Sequence, residues 1–269
     1  MDTTKLLARI GLGLAALVAL LVIGLVAAIT IDAAAGPTAA EFTNVTFPAA
    51  DGPPIGGYLA EPEGPGPHPA VLMVHEWWGM NAEITELADI MAEAGYVVLA
   101  PDTYRGAQTG LVPRALYLRL TVDTERVDSD MNAAYGYLVA QPDVDPDRIG
   151  VLGFCYGGGV ALRHGINSPD IEAVANLYGD TVSDPQAFGA LLAGDTPVFG
   201  VFGDADMNIP VEEARAFEDA LAAAGIPHAV TIYADMPHAF IQPHNIDEPG
   251  TPREAWQDVL AFFGESLAP

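Results

Sequence analysis

The run Gly153-Phe154-Cys155-Tyr156-Gly157-Gly158-Gly159 leaves few folds open to this chain. It follows residues 148–153 (RIGVLG), which read as a buried strand, and opens residues 157–164, which read as a helix. A strand that turns into a helix this abruptly holds its central residue in a strained backbone conformation. A side chain two residues before or after that centre would collide with the neighbouring strand or helix, and Gly153 and Gly157 remove both. The turn lifts the central side chain above the sheet edge, at a helix N-terminus that favours an anion. This is the spacing of a nucleophile elbow, with cysteine in the place of serine. The plainer alternative is a structural cysteine beside a glycine turn, since free cysteine is among the most buried residue types. The placement between strand and helix favours a chemical role.

Around this turn, strand-like and helix-like segments alternate. Residues 41–47 and 55–60 read as a leading pair of strands, followed by a strand at 70–75 (AVLMVH). Asn81 caps a helix that runs to 94 and ends at Gly95, and 96–100 (YVVLA) is another buried strand. Residues 102–122 form a long connection with some helix after Pro113, and 128–140 a helix. Strands follow at 171–177, 197–203 and 229–233, with helices at 211–224 and 252–263. Such alternation predicts an α/β domain over 41–269, a mostly parallel central sheet with helices on both faces. The chain of 269 residues suits one such domain.

Residues 10–31 are 22 residues without a charge, enough to cross a bilayer as a helix of roughly 33 Å. Lys5 and Arg9 precede the run and Asp32 follows it. Positive charge on the N-terminal side predicts a transmembrane signal-anchor, with residues 1–9 cytoplasmic, 32–40 a linker and the domain on the far side of the membrane. A signal peptide cleaved near Ala33-Ala34-Ala35, giving a secreted protein, is the alternative. Cys155 is the only cysteine, so an exported domain carries no internal disulfide. Ten Lys and Arg stand against 36 Asp and Glu, a net charge of -26, which argues against a nucleic-acid partner. Like-charge repulsion that keeps the protein soluble is one reading of that surface, and adaptation to high salt is a sharper one.

Gly-x-Cys-x-Gly-Gly at residues 153–158 resembles the dienelactone hydrolases (carboxymethylenebutenolidases), and the likeness extends over 41–266. The resemblance implies an α/β-hydrolase fold and a Cys-Asp-His triad. In that fold the acid follows the next-but-one strand after the nucleophile and the histidine follows the last strand. The family motif of an Asp with a Pro four residues on selects Asp206, with Asp204 as the backup. A His followed by a small residue and Phe selects His238, with His244 as its competitor. Similar sequences carry a glutamate at the position of Glu76, where it holds the resting thiol and helps form thiolate when substrate arrives. The two oxyanion donors are expected to be the backbone N–H groups of Tyr156 and Trp77. His75-Glu76 lacks the second histidine of a zinc-protease helix, because position 79 is Gly, and neither metal nor other cofactor is expected.

The resemblance also implies arginines that clamp a substrate carboxylate. Arg114 is the leading candidate for one, with Arg105 and Arg119 as rivals and Tyr117 beside it; the other position is Gln242, which cannot pair with an acid. Trp77, Trp78, Tyr104, Tyr178 and Phe240 suggest an aromatic pocket, and each could equally be core packing. The expectation is a monomeric hydrolase of a small ester or lactone, dienelactone-type or neutral. Acyl or thioester transfer on the same triad, or ligand binding without catalysis, remain as alternatives.

Overall fold

The computed structural model describes residues 3–193 and 195–268. A long helix, α1 (Thr3–Ala35), precedes the domain. The domain then runs β1 (Val45–Phe47), β2 (Ile55–Ala60), β3 (His68–Val74), α2 (Ala82–Glu93), β4 (Val97–Pro101), α3 (Val112–Thr121), α4 (Thr124–Val139), β5 (Val144–Phe154) and α5 (Tyr156–Asn167). It continues with β6 (Ala173–Leu177), β7 (Val198–Gly203), α6 (Val211–Ala224), β8 (His228–Tyr233), α7 (Pro243–Ile246) and α8 (Thr251–Ser266). The eight strands form one sheet in the order β1-β2-β4-β3-β5-β6-β7-β8. β2 pairs antiparallel with β1 and with β4, and every other pairing is parallel.

Side-chain alternation divides the interior into two layers. Ala70, Leu72 and Val74 of β3, with Ile149 and Val151 of β5, face the layer built with Met131 of α4, Val160 of α5 and Phe217 of α6. Val71 and Met73 of β3, with Leu152 and Phe154 of β5, face the other layer, with Leu87 and Met91 of α2 and Val259 and Phe263 of α8. These central strands are buried on both sides, which is why they read as continuous apolar runs rather than alternating ones.

The structure departs from the sequence reading at the ends of several elements. The first strand shortens to Val45–Phe47, because Ala39–Phe42 winds into a 3-10 turn. The helix expected at 128–140 begins at Thr124, because the Asp123 carboxylate accepts from the N–H groups of Glu125 and Arg126. The linker expected at 32–40 is not an extended tether. α1 continues through the Ala-rich segment to Ala35, Thr38 bridges to Ala107, and Ala39 N–H donates to the Gly106 carbonyl at 3.2 Å. Asp32, near a helix C-terminus that repels carboxylates, is compensated by Arg114 at 2.7 Å and by the Thr109 hydroxyl at 2.6 Å.

A tight sheet-to-helix contact away from the site lies under α8. Phe263 is fully buried against Gly150, where any side chain would press into its ring, and it stacks edge-on with Phe262 at 5.2 Å. Phe263→Ala opens a cavity that β5 cannot collapse into, and chemical denaturation is expected to show a loss of about 3–5 kcal/mol.

Candidate active site

The parallel strands deliver the chemistry at their carboxyl ends, the rule for open α/β sheets. Cys155 follows β5 directly, Glu76 and Trp77 follow β3, Tyr178 follows β6, Asp206 follows β7 and His238 follows β8. Cys155 has φ 52° and ψ -116°, a conformation that costs an L residue on the order of 1–3 kcal/mol. Close backbone approach holds it there. A methyl group at Gly153 would overlap the Gly157 carbonyl, and one at Gly157 would overlap the Val74 carbonyl of β3. The Cys155 N–H donates to the Leu177 carbonyl of β6 at 2.9 Å, which ties the elbow to the sheet.

His238 Nδ1 lies 2.7 Å from Asp206 Oδ2. A carboxylate only accepts, so Nδ1 carries the proton and Nε2 presents its lone pair; Nε2 is buried and has no partner. Asp206 Oδ1 accepts from the N–H groups of Asn208 at 2.7 Å and Ile209 at 3.1 Å, so the acid cannot swing away. Cys155 and His238 line one cleft of about 330 Å³ with Glu76, Trp77, Trp78, Tyr156 and Tyr178. Burial pushes the Cys155 thiol up, the neighbouring Glu76 carboxyl adds to the rise, and the N–H groups of Tyr156 and Trp77 and the Arg119 guanidinium act against it, with a net value of about 12. Glu76 is itself raised to about 7, by burial first and by Glu83 second, and its Oε1 has no partner.

Behind the cleft lies a polar chain that the sequence reading missed. His75 is fully buried, and its Nδ1 lies 2.6 Å from the Glu76 carbonyl, which can only accept. Nε2 therefore accepts from the Thr103 hydroxyl at 2.9 Å, and Thr103 in turn receives the Tyr156 hydroxyl at 3.4 Å. Burial depresses His75 to about 4, so the ring is neutral near pH 7. The chain fixes the Glu76 carbonyl, which belongs to the same planar peptide group as the Trp77 N–H. Its sequence signal was the polar His75 and Thr103, one and two residues past the ends of the mainly apolar strands β3 and β4.

Several expected recognition residues lie elsewhere. Arg114 is buried, but it bonds the Asp32 carbonyl at 2.6 Å and carboxylate at 2.7 Å instead of facing the cleft. Its place on the first turn of α3 points it towards α1. Tyr117 is half exposed on the outer side of α3. Arg105 pairs with the fully buried Asp130 at 2.5 Å. Arg119, the other rival, does reach the cleft, where it pairs with Asp180 and lies over the Tyr156 ring at 5.6 Å. Phe240 is buried behind the cleft wall against Tyr178, ring centroids 5.8 Å apart, whereas Trp78 and Tyr178 do line it. Tyr104 is buried against His75. Gln242 caps α7, giving its Nε2–H to the Ala239 carbonyl at 3.2 Å and its N–H to Asn245 at 3.0 Å. Asp204 accepts from the Asp235 N–H and His244 is exposed, so neither rival takes part in the bonded acid–imidazole pair. Asp180 was missed, although its position three residues past the end of β6 marks it in the same way as the others.

Strand order, elbow and the acid and imidazole beyond β7 and β8 define an α/β-hydrolase. Residues 55–267 match the dienelactone hydrolase family, and the chain belongs to that family. A Methylorubrum extorquens protein provisionally named a carboxymethylenebutenolidase is 31% identical over 236 residues, covering 82% of this chain and 79% of that one. A Synechocystis protein of the same provisional name is 28% identical over 230 residues, covering 79% and 92%. A crystal structure from Klebsiella pneumoniae, provisionally described as a dienelactone hydrolase, superposes with a TM-score of 0.72 at 25% identity and covers 82% of this chain and 97% of its own. The protein is a hydrolase of the ester and lactone class.

Glu76 generates two predictions. Glu76→Gln removes a negative charge beside the sulfur, so the apparent pKa for alkylation of Cys155 by iodoacetamide is expected to fall by about one unit. The second concerns stability. A carboxyl held at about 7 in the folded chain, against a model value of 4.5, binds a proton that the unfolded chain has released. Wild-type stability therefore falls as pH rises from 4.5 to 7 and is level above that. In urea titrations at pH 5 and pH 8, Glu76→Gln is expected to lack this loss, of about 2.5 kcal/mol between those two values.

Proposed function

We propose that Cys155 is the nucleophile of a membrane-anchored hydrolase of small carboxylic esters or lactones, working with His238 and Asp206 through a thioester acyl-enzyme. The observation that carries this reading is the 2.7 Å Asp206–His238 bond, which leaves an unpartnered imidazole nitrogen on the cleft that holds the chain's only cysteine. His238 Nε2 takes the thiol proton as sulfur attacks the acyl carbon. The carbonyl oxygen gains charge between the N–H groups of Tyr156 and Trp77, and collapse of the adduct breaks the ester C–O bond. The imidazolium returns its proton to the departing alcohol or enol oxygen. Water then loses a proton to Nε2 and attacks the thioester, releasing the acid and restoring the thiol. Asp206 keeps the imidazole in the required tautomer and stabilises its charged form.

Two features support a neutral substrate. Among the cleft-lining residues Arg119 is the one cation, and Asp180 already occupies it. Gln242 is committed to its helix cap. Trp77 and Trp78, packed edge-to-face at 5.0 Å, suit an apolar acyl or alkyl group instead.

For location, α1 is long and apolar enough to cross a membrane. Lys5 and Arg9 on its N-terminal side support a domain outside the cytoplasm. Cleavage after Ala35 would remove Asp32, the ion-pair partner of Arg114, which supports an uncleaved anchor over a secreted product.

The full chain in detergent, assayed with p-nitrophenyl acetate and with an enol-lactone carboxylate, tests the reading. Wild type is expected to prefer the neutral ester, with Cys155→Ala and His238→Ala each reduced roughly 10³-fold or more. Acid quench is expected to trap a thioester on the Cys155 peptide. A folded Cys155→Ala protein as active as wild type would remove the cysteine mechanism. Acyl transfer to an added alcohol outpacing hydrolysis would make the enzyme a transferase.

A further inference from the structure

Roughly one residue in seven of this chain is acidic, yet residues 103–122 contain none, and they hold three of its nine arginines. α3 occupies the second half of that stretch. Its inner side carries Arg114 and Ala115, both buried, and Arg119 on the cleft. Its outer side is apolar: Val112, Leu116 and Leu120 recur at every fourth residue, Tyr117 lies beside them and Leu111 precedes the helix. These five are 43% to 72% exposed. Outside α1, the described residues include seven exposed large hydrophobics, and five sit on this one segment. Scattered apolar residues need no explanation, but a concentrated patch does.

The position of α1 identifies what covers it. Asp32, directly after the uncharged residues 10–31, is bonded to Arg114 on the first turn of α3 and to Thr109 just before it. A bilayer core takes about 20 helical residues, so a run of 22 places Asp32 at the hydrocarbon boundary with little slack. α3 starts at that boundary, and its apolar side extends about 12 Å from Val112 to Leu120. We infer that the outer face of α3 beds in the interfacial layer of the same bilayer that α1 crosses, and that the cleft rim carried by Arg119 opens beside the lipid. The inference rests on the membrane-anchored reading above. The surplus of negative charge elsewhere repels anionic headgroups, whereas the exposed face of α3 carries no acidic residue. The substrate this arrangement favours is an amphiphilic ester that enters from the membrane with its chain still in lipid.

The test uses the full chain with Cys155→Ala, reconstituted in vesicles of phosphatidylcholine and phosphatidylglycerol. A cysteine introduced at Leu21, Leu116 or Asp219 carries an environment-sensitive fluorophore, and spin-labelled lipids act as quencher. Leu21 reports α1, Leu116 reports α3, and Asp219 is exposed on α6 beside the β8 edge. Quenching at Leu21 and Leu116 but not at Asp219 is the expected result. Quenching at Leu21 alone overturns the docking of α3 and leaves the anchor standing. No quenching at Leu21 overturns the anchor, and the inference with it. A blue shift at Leu116 without lipid quenching, varying with protein-to-lipid ratio, assigns the face to a second copy of the chain and overturns lipid contact. In the active enzyme, Leu116→Glu is expected to lower turnover of a long-chain p-nitrophenyl ester dissolved in the vesicles about fivefold, with p-nitrophenyl acetate unchanged. Equal rates for variant and wild type on the long-chain ester overturn delivery from the bilayer.

Discussion

Between β5, α5 and β3 there is room for backbone alone. Gly153 lies against the Gly157 carbonyl and Gly157 against that of Val74, so three elements converge with no side chain between them. That convergence brings the residue after β5 and the loop after β3 to the rim of one cleft, with Cys155 in its strained conformation between them. The strain is tolerable because the N-terminus of α5, the sheet bond to Leu177 and the two stacked cores all hold the same geometry. The loops after β7 and β8 then have only to place an acid and an imidazole opposite it.

The charge state of the resting cleft follows from burial more than from pairing. The sulfur is held as a thiol, Glu76 titrates near neutrality, and His75 behind them stays uncharged. A strongly anionic protein thus keeps its reactive centre nearly neutral. The cost of desolvating ions there is thereby avoided. The buried run from Tyr156 through Thr103 and His75 to the Glu76 carbonyl gives the loop after β3 a fixed shape without adding charge.

The layered architecture could be read from the chain because central strands such as 96–100 and 197–203 are apolar without interruption and alternate with helix-like stretches. The approach of Cys155, Asp206 and His238 could be expected because each follows the carboxyl end of a strand by one to five residues, and local spacing carries that information. The arginines were not. Arg105, Arg114 and Arg119 lie within fifteen residues on the connection between β4 and α4, and their partners Asp130, Asp32 and Asp180 come from three distant places in the chain. Which arginine faces the cleft is decided by those long-range pairings, and nothing in local periodicity encodes them. The same holds for Gln242, whose use as a helix cap depends on a turn too short to be seen in the pattern. The extension of α1 to Ala35 was likewise hidden, since its last turn is stabilised by Arg114, about eighty residues away.

The union of Asp32 with Arg114 and Thr109 has a mechanical consequence. A flexible connection of nine residues would let the domain rotate freely about the helix that precedes it. Instead the helix carries a partly buried ion pair in its last turns, and only a few residues separate that joint from the Thr38–Ala107 bridge. The joint therefore transmits torque: tilting or turning α1 must turn α3, and with it the cleft wall that bears Arg119. The cleft is thereby set at one orientation to the last turn of α1 by side-chain bonds and a backbone bridge, unlike a domain on a string.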